Sequence, residues 1–72
     1  MLYRIKVGSI TNAQRAKAIL KEKGFNPYIV RITNPRREDG CGYAVKLTAI
    51  HLNSVLELLD SGGINVIGVD EL

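Results

Sequence analysis

The sequence of 72 residues predicts an α+β fold in which strands and helices follow the order β-α-β-β-α-β. Two observations predict it: apolar residues alternate with other residues in short segments, and two further segments carry apolar residues at spacings of three and four. Two split β-α-β halves of similar length are typical of a ferredoxin-like sandwich, whose antiparallel four-stranded sheet has both helices on one face. Residues 1–72 are predicted to form one such domain.

The strand segments are bounded by helix or turn signals. In the first, Tyr3, Ile5 and Val7 point to one side, whereas Arg4 and Lys6 point to the other, so one face is expected to lie against a core. The third segment alternates in the same way, and the second carries apolar residues at both parities. The predicted strands are Leu2–Val7, Tyr28–Ile32, Tyr43–Leu47 and Ile64–Val69.

The helices are predicted from capping signals and apolar spacing. Thr11 and Gln14 form a capping box, and Gly24 is placed to end the helix that follows them. Thr48 is a plausible cap for the second helix, which Gly62 and Gly63 close. The apolar positions at helical spacing are Ala13, Ala16, Ile19 and Leu20 in the first helix, and Leu52, Val55, Leu56 and Leu59 in the second.

Composition and charge narrow the class of protein. With 46% hydrophobic and 24% charged residues, the chain resembles an ordinary globular domain rather than a disordered one. Its apolar runs are too short for a membrane span, its first residues lack the apolar core of a signal peptide, and we expect a cytoplasmic location. One cysteine and His51 alone predict no metal site, and no catalytic constellation or cofactor motif is visible, so an enzyme is not expected.

The face of the sheet away from the helices is predicted to be basic. If the more apolar side of every strand, including Tyr28, Val30 and Ile32 in the second, faces the helices, this open face collects Arg4, Lys6, Arg31 and Lys46. Such a face is commonly a solvated surface that discourages edge pairing. It also suits docking of an acidic protein or a nucleic acid, or dimerisation along a sheet edge or face, in a chain of net charge +3.

Nucleic-acid binding is the less favoured of these interpretations. The RNA-recognition motif shares this element order and stacks bases on aromatic residues of its first and third strands. Here Tyr3 and Tyr43 would have to lie on the open face, which would turn Arg4, Lys6 and Lys46 into the core. Burying unpaired charges costs several kcal/mol each, so the tyrosines are expected inside.

The stretch RREDGCGYAV contains the only cysteine, Cys41, at a junction between loop and strand. Gly40 and Gly42 remove side-chain bulk on both sides of it, so another protein could approach its sulfur closely. The positive charges of 36–37 favour the thiolate, whereas the negative charges of 38–39 oppose it. Cys41 is therefore either an accessible thiol or a small residue filling space at a strand entrance.

The chain resembles the selenium/sulfur carrier-like proteins, a family of short bacterial domains, over nearly its whole length. The most specific shared element is Pro35-Arg36 followed shortly by Cys41-Gly42, and the helix ending in Leu20-x-x-x-Gly24 also matches. Residues Glu38 and Asp39 depart from the small or hydroxyl residues that usually precede the cysteine.

The resemblance implies that Cys41 holds sulfur or selenium as a persulfide or selenosulfide. Gly40 and Gly42 would then give access to the thiol, and Arg36 and Arg37 would assist electrostatically. The implied partners are a donor enzyme and an acceptor protein. The alternative is a protein-binding or regulatory module that works through the basic open face without thiol chemistry.

Overall fold

The computed structural model describes residues 1–32 and 42–72. The strands form one antiparallel sheet in the order β2-β3-β1-β4, and the predicted ferredoxin-like α+β fold is confirmed. Strand β2 has the predicted bounds, and β1 and β3 extend beyond theirs by one or two residues. The elements are β1 Leu2–Gly8, α1 Ile10–Glu22, β2 Tyr28–Ile32, β3 Gly42–Thr48, α2 Leu52–Ser61 and β4 Gly68–Glu71.

The hydrophobic core lies between the sheet and the two helices. In both central strands the alternating apolar residues point toward it, and Tyr3 and Tyr43 pack against it as predicted. Because both tyrosines face the helices, neither is placed to stack a base on the open face. The fully buried side chains of the core are Ile5, Val7, Ala13, Ala16, Leu20, Val45, Leu47, Val55 and Leu59.

Helix α1 begins earlier than its predicted capping box. The cap is Ser9, whose Oγ accepts a hydrogen bond of 3.0 Å from the backbone N–H of Asn12, so the predicted Thr11–Gln14 box is wrong. Ser9 and Asn12 have the same spacing as Thr11 and Gln14, and the sequence pattern alone did not separate the two. Gly8, at φ +90, supplies the sharp change of direction that lets the helix begin directly after β1.

Replacing Ser9 with alanine is expected to lower the free energy of unfolding by about 1 kcal/mol, because the Asn12 N–H loses its acceptor. Urea unfolding followed by circular dichroism measures the change. Ser61→Ala, at the exposed C-terminal residue of α2, is the matched control and should cause no loss. Equal destabilisation by the two changes would contradict Ser9 as the cap.

Helix α2 also begins at a different cap from the predicted one. Thr48 ends β3, and the N-cap is His51, whose side chain makes no capping hydrogen bond. The C-terminal end agrees with the prediction, because Gly62 is the C-cap and Gly63 follows it at φ +77.

The last strand begins four residues later and ends two residues later than predicted, over Gly68–Glu71 instead of Ile64–Val69. Ile64 is buried, and its N–H donates to the carbonyl of Leu59 at 2.9 Å, so it closes α2 rather than pairing in the sheet. Asp70 and Glu71 lie beyond the predicted strand and have low strand propensity. Pairing with β1 overrides that propensity.

Candidate functional site

The open face of the sheet, defined as the side away from the helices, carries one row of side chains that crosses all four strands. Cross-strand partners in an antiparallel sheet point to the same side. The register pairs Tyr28 with Lys46, Lys46 with Arg4, and Arg4 with Asp70. An aromatic ring, two cations and a carboxylate therefore follow one another from β2 to β4.

A second row lies beside the first and is less polar. It runs from Val30 through Ala44 and Lys6 to Gly68. Together the two rows give the open face an apolar half, which we define as Tyr28, Val30 and Ala44, and a charged half, Arg4, Lys6 and Asp70. Lys46 lies between the halves.

Arg31 does not belong to the open face, so this part of the sequence prediction is wrong. Arg31 pairs with Tyr43, and Ile29 pairs with Val45, which places both on the side of the sheet that faces the helices. The predicted parity counted three apolar residues of β2 against one. In the fold it is the single Ile29 that packs against the core. An edge strand with apolar residues at both parities does not define its own orientation.

The same reversal brings Tyr28 onto the open face, where sequence reasoning did not place it. Its side chain is 60% exposed, a large fraction for an aromatic residue in a strand. No signal within β2 could have found it, because its orientation follows from its position opposite Lys46, whose own parity in β3 is unambiguous. Register to the neighbouring strand, rather than the β2 sequence, decides where Tyr28 points.

Asp70 neutralises part of the charge on this face. The Arg4 guanidinium donates to Oδ2 of Asp70 from Nε at 3.1 Å and from Nη2 at 2.8 Å, and Lys6 Nζ lies 3.7 Å from the same oxygen. The hydrogen bond from Arg4 is the main cause that lowers the pKa of Asp70. Lys6 and Arg4 also lower it through their charges, while partial desolvation opposes them. Three cations and one acid leave two positive charges in excess.

Lys46 differs from the other cations of the open face. Within residues 1–32 and 42–72 it has no carboxylate at ion-pair distance, whereas Arg4 and Lys6 both approach Asp70. The Lys6 stem passes over Gly68, since a Cβ built on that glycine would lie 3.6 Å from Lys6 Cδ. Both cations of β1 therefore lean toward β4, and Lys46 is the cation left beside Tyr28.

Asp70→Asn is expected to remove a small stabilising contribution that the wild type has at neutral pH. The folded-state pKa of Asp70 lies below its unfolded value of about 3.9. The contribution is therefore present above about pH 4 and is lost as pH falls through the folded-state pKa. Its size is limited because both partners are more than a third exposed.

Urea unfolding at about pH 7 and about pH 2 tests this dependence. The difference between wild type and Asp70→Asn should shrink at the lower pH. Asp60→Asn, at an exposed position of α2, provides the control. A difference for Asp70→Asn that is equal at both pH values would contradict the assignment.

The predicted thiol site falls mostly outside the described residues: Cys41, Gly40, Arg36 and Arg37 all lie in 33–41. Gly42, which the chain joins directly to Cys41, is the first residue of β3 and pairs with Ile32. A Cβ on Gly42 would lie 3.1 Å from the carbonyl oxygen of Gly8. This close approach gives Gly42 a packing reason to be glycine, in addition to the predicted access to the sulfur.

Two shallow depressions lie at the other end of β3, on either side of Phe25 and Thr48. The larger has a volume of about 450 Å³ and is also lined by Ala49, Ile50 and His51. The smaller is lined by Leu2 and Tyr28 among others. Since Gly42 begins β3 and Thr48 ends it, neither depression adjoins the strand entrance.

Among the described residues no three of the metal-ligating types His, Cys, Asp and Glu come together. Neither α1 nor α2 is long and apolar enough to cross a membrane.

Comparison with known proteins assigns no family to this chain. A scan against protein-family models finds no match, and a search of curated proteins finds none either.

Proposed function

We propose that this protein is a sulfur or selenium carrier and that Cys41 binds the transferred sulfur or selenium atom covalently. The observation that carries the proposal is the stretch Gly40-Cys41-Gly42, which holds the only cysteine of the chain directly before β3. Its resemblance to selenium/sulfur carrier-like domains supports the same role. The protein acts on no substrate of its own and passes an atom between two partners.

The transfer chemistry needs only a nucleophilic thiolate. The Cys41 thiolate attacks the outer sulfur of a donor persulfide, the bond between that sulfur and the donor cysteine breaks, and the donor leaves as a thiolate. The Cys41 persulfide then gives its outer sulfur to an acceptor nucleophile in the same way. No external oxidant enters either step, because sulfur moves at a constant oxidation state.

The absence of a second cysteine from the sequence favours storage of the transferred atom. A neighbouring thiol would attack the Cys41 persulfide, form a disulfide and release the outer sulfur as sulfide. With Cys41 as the single cysteine of 72 residues, this intramolecular route does not exist. The persulfide is therefore not lost by reaction within the chain.

The rate at which iodoacetamide alkylates Cys41 in the native protein tests the proposal. We expect a rate within a few-fold of that of a Gly-Cys-Gly peptide, and little acceleration in urea, because a carrier thiol must be reachable. The pH dependence of the rate gives the thiol pKa, which glutamine at Arg36 and Arg37 should raise. A thiol that reacts only after unfolding would overturn the proposal and favour a space-filling cysteine.

A second candidate function is favoured by the exposed Tyr28 beside Lys46. In this alternative the protein is a binding or regulatory module that contacts another macromolecule through the open face. The two functions separate experimentally, because Cys41→Ser removes the first and leaves the second intact.

A further inference from the structure

We infer that the open face binds a short acidic segment of another protein, with an apolar side chain on Tyr28 and Val30 and a carboxylate at Lys46. This inference rests on the second candidate function and specifies the chemistry of its partner. It is independent of whether Cys41 carries sulfur.

The open face is divided into an apolar half and a charged half. Tyr28 is 60% exposed and Val30 is half-buried, while Ala44 between the strands is fully covered by its neighbours. The cations of β1 lean toward Asp70 and away from this apolar half. A partner therefore meets an apolar contact on β2 and charge on β1, with Lys46 between them.

The net charge of the open face is positive. Arg4, Lys6 and Lys46 outnumber Asp70 by two positive charges on one side of a small sheet. A second copy of this face would bring like charges together, which costs several kcal/mol across an interface. Carboxylates would instead meet complementary charge at Lys46, which lies beside the exposed aromatic ring. The face thus favours an acidic partner over self-association.

The positions of the aromatic residues favour a protein partner over a nucleic acid. Proteins of this architecture that bind single-stranded RNA stack two or three bases on aromatics of the central strands. In this chain Tyr3 and Tyr43 of those strands face the helices, and Tyr28 lies on the edge strand β2. One edge aromatic bordered by Val30 suits an aliphatic side chain of a peptide better than a run of stacked bases.

The size of the patch that the two rows form limits the kind of partner it can bind. Strands about 4.8 Å apart, with a rise of about 3.3 Å per residue, make the region from Leu2 to Lys6 across the sheet roughly 15 Å square. Stable interfaces between folded proteins bury about 800 Å² on each partner. The patch formed by the two rows is smaller than that, so it fits a short segment bound weakly and reversibly.

Fluorescence anisotropy with a labelled peptide of alternating glutamate and leucine tests the inference. We expect Lys46→Glu to weaken binding by at least about tenfold and Tyr28→Ala by several-fold. Two matched controls, Lys17→Glu on the exposed side of α1 and Ile50→Ala at an 87% exposed position, should change binding by less than about twofold. Higher salt should weaken the complex, because exposed charges are screened.

Several outcomes would overturn the inference. These are equal effects of Lys46→Glu and Lys17→Glu, equal binding of a lysine-leucine peptide, or no binding of the acidic peptide. Tighter, Lys46-dependent binding of oligothymidine, or a Lys46-dependent dimer in sedimentation, would keep the binding function but reject this partner. Cys41→Ser should retain peptide binding, so failure of the carrier proposal and failure of this inference are distinguishable. Thermal melts monitored by circular dichroism confirm that each variant is folded.

Discussion

Replacing Ile5 with alanine is expected to lower the free energy of unfolding by about 2 to 5 kcal/mol. Ile5 has no exposed surface and lies in the central strand β1, opposite Val45 on one side and Val69 on the other. The change removes apolar packing against both neighbouring strands and the core cluster beneath the helices, and leaves a cavity. Dense packing on all sides prevents the site from collapsing around the smaller residue.

The loss is large relative to the stability of so short a chain. Domains have about 0.05 to 0.15 kcal/mol of stability per residue, which gives roughly 4 to 11 kcal/mol for 72 residues. Ile50→Ala makes the same chemical change at an 87% exposed position and should cost less than about 0.5 kcal/mol. Urea unfolding compares the two variants, and equal losses would contradict the position of the core.

The central strands were predictable because charge and apolar character alternate without ambiguity. In β1, Arg4 and Lys6 exclude one parity from the core, so Tyr3 and Ile5 must face the helices. In β3, Lys46 has the same effect. These charges also determine that the tyrosines of both strands face the helices, because the opposite orientation would bury the cations at a large cost in free energy.

The edge strand β2 was not predictable from its own residues. Three apolar residues of one parity, Tyr28, Val30 and Ile32, stand against the single Ile29 of the other parity. Ile29 is nevertheless the one that packs against the core. At a sheet edge, long apolar side chains are tolerated on the open side, and the register to β3 decides the orientation. The assembled sheet alone therefore shows that Tyr28 lies on the open face and that Arg31 does not.

The pairing of Asp70 with Arg4 was also not predictable from the sequence. Asp70 lies just beyond the strand predicted to end at Val69, whereas the register brings it opposite Arg4. The two are separated by 66 positions in the chain, and no local pattern connects them. Long-range pairing thus places Asp70 where it neutralises part of the charge on the open face.

Replacing Cys41 with serine is expected to abolish all loading of the protein with sulfur or selenium. A serine hydroxyl has no appreciable anionic fraction at neutral pH and is a poor nucleophile toward sulfur, so no activity should remain. The fold should be retained, because the change alters one atom of one side chain. Gly42→Ala is a different case, since its Cβ would press on the Gly8 carbonyl and disturb the start of β3.

The intact mass of the protein after incubation with a cysteine desulfurase and cysteine, or selenocysteine, tests the carrier role most directly. The proposal predicts an added sulfur or selenium atom that is removed by reductant, blocked by prior alkylation and missing in Cys41→Ser. A Cys41 that gains no such atom from any of these donors, while remaining open to alkylation, would contradict the proposal.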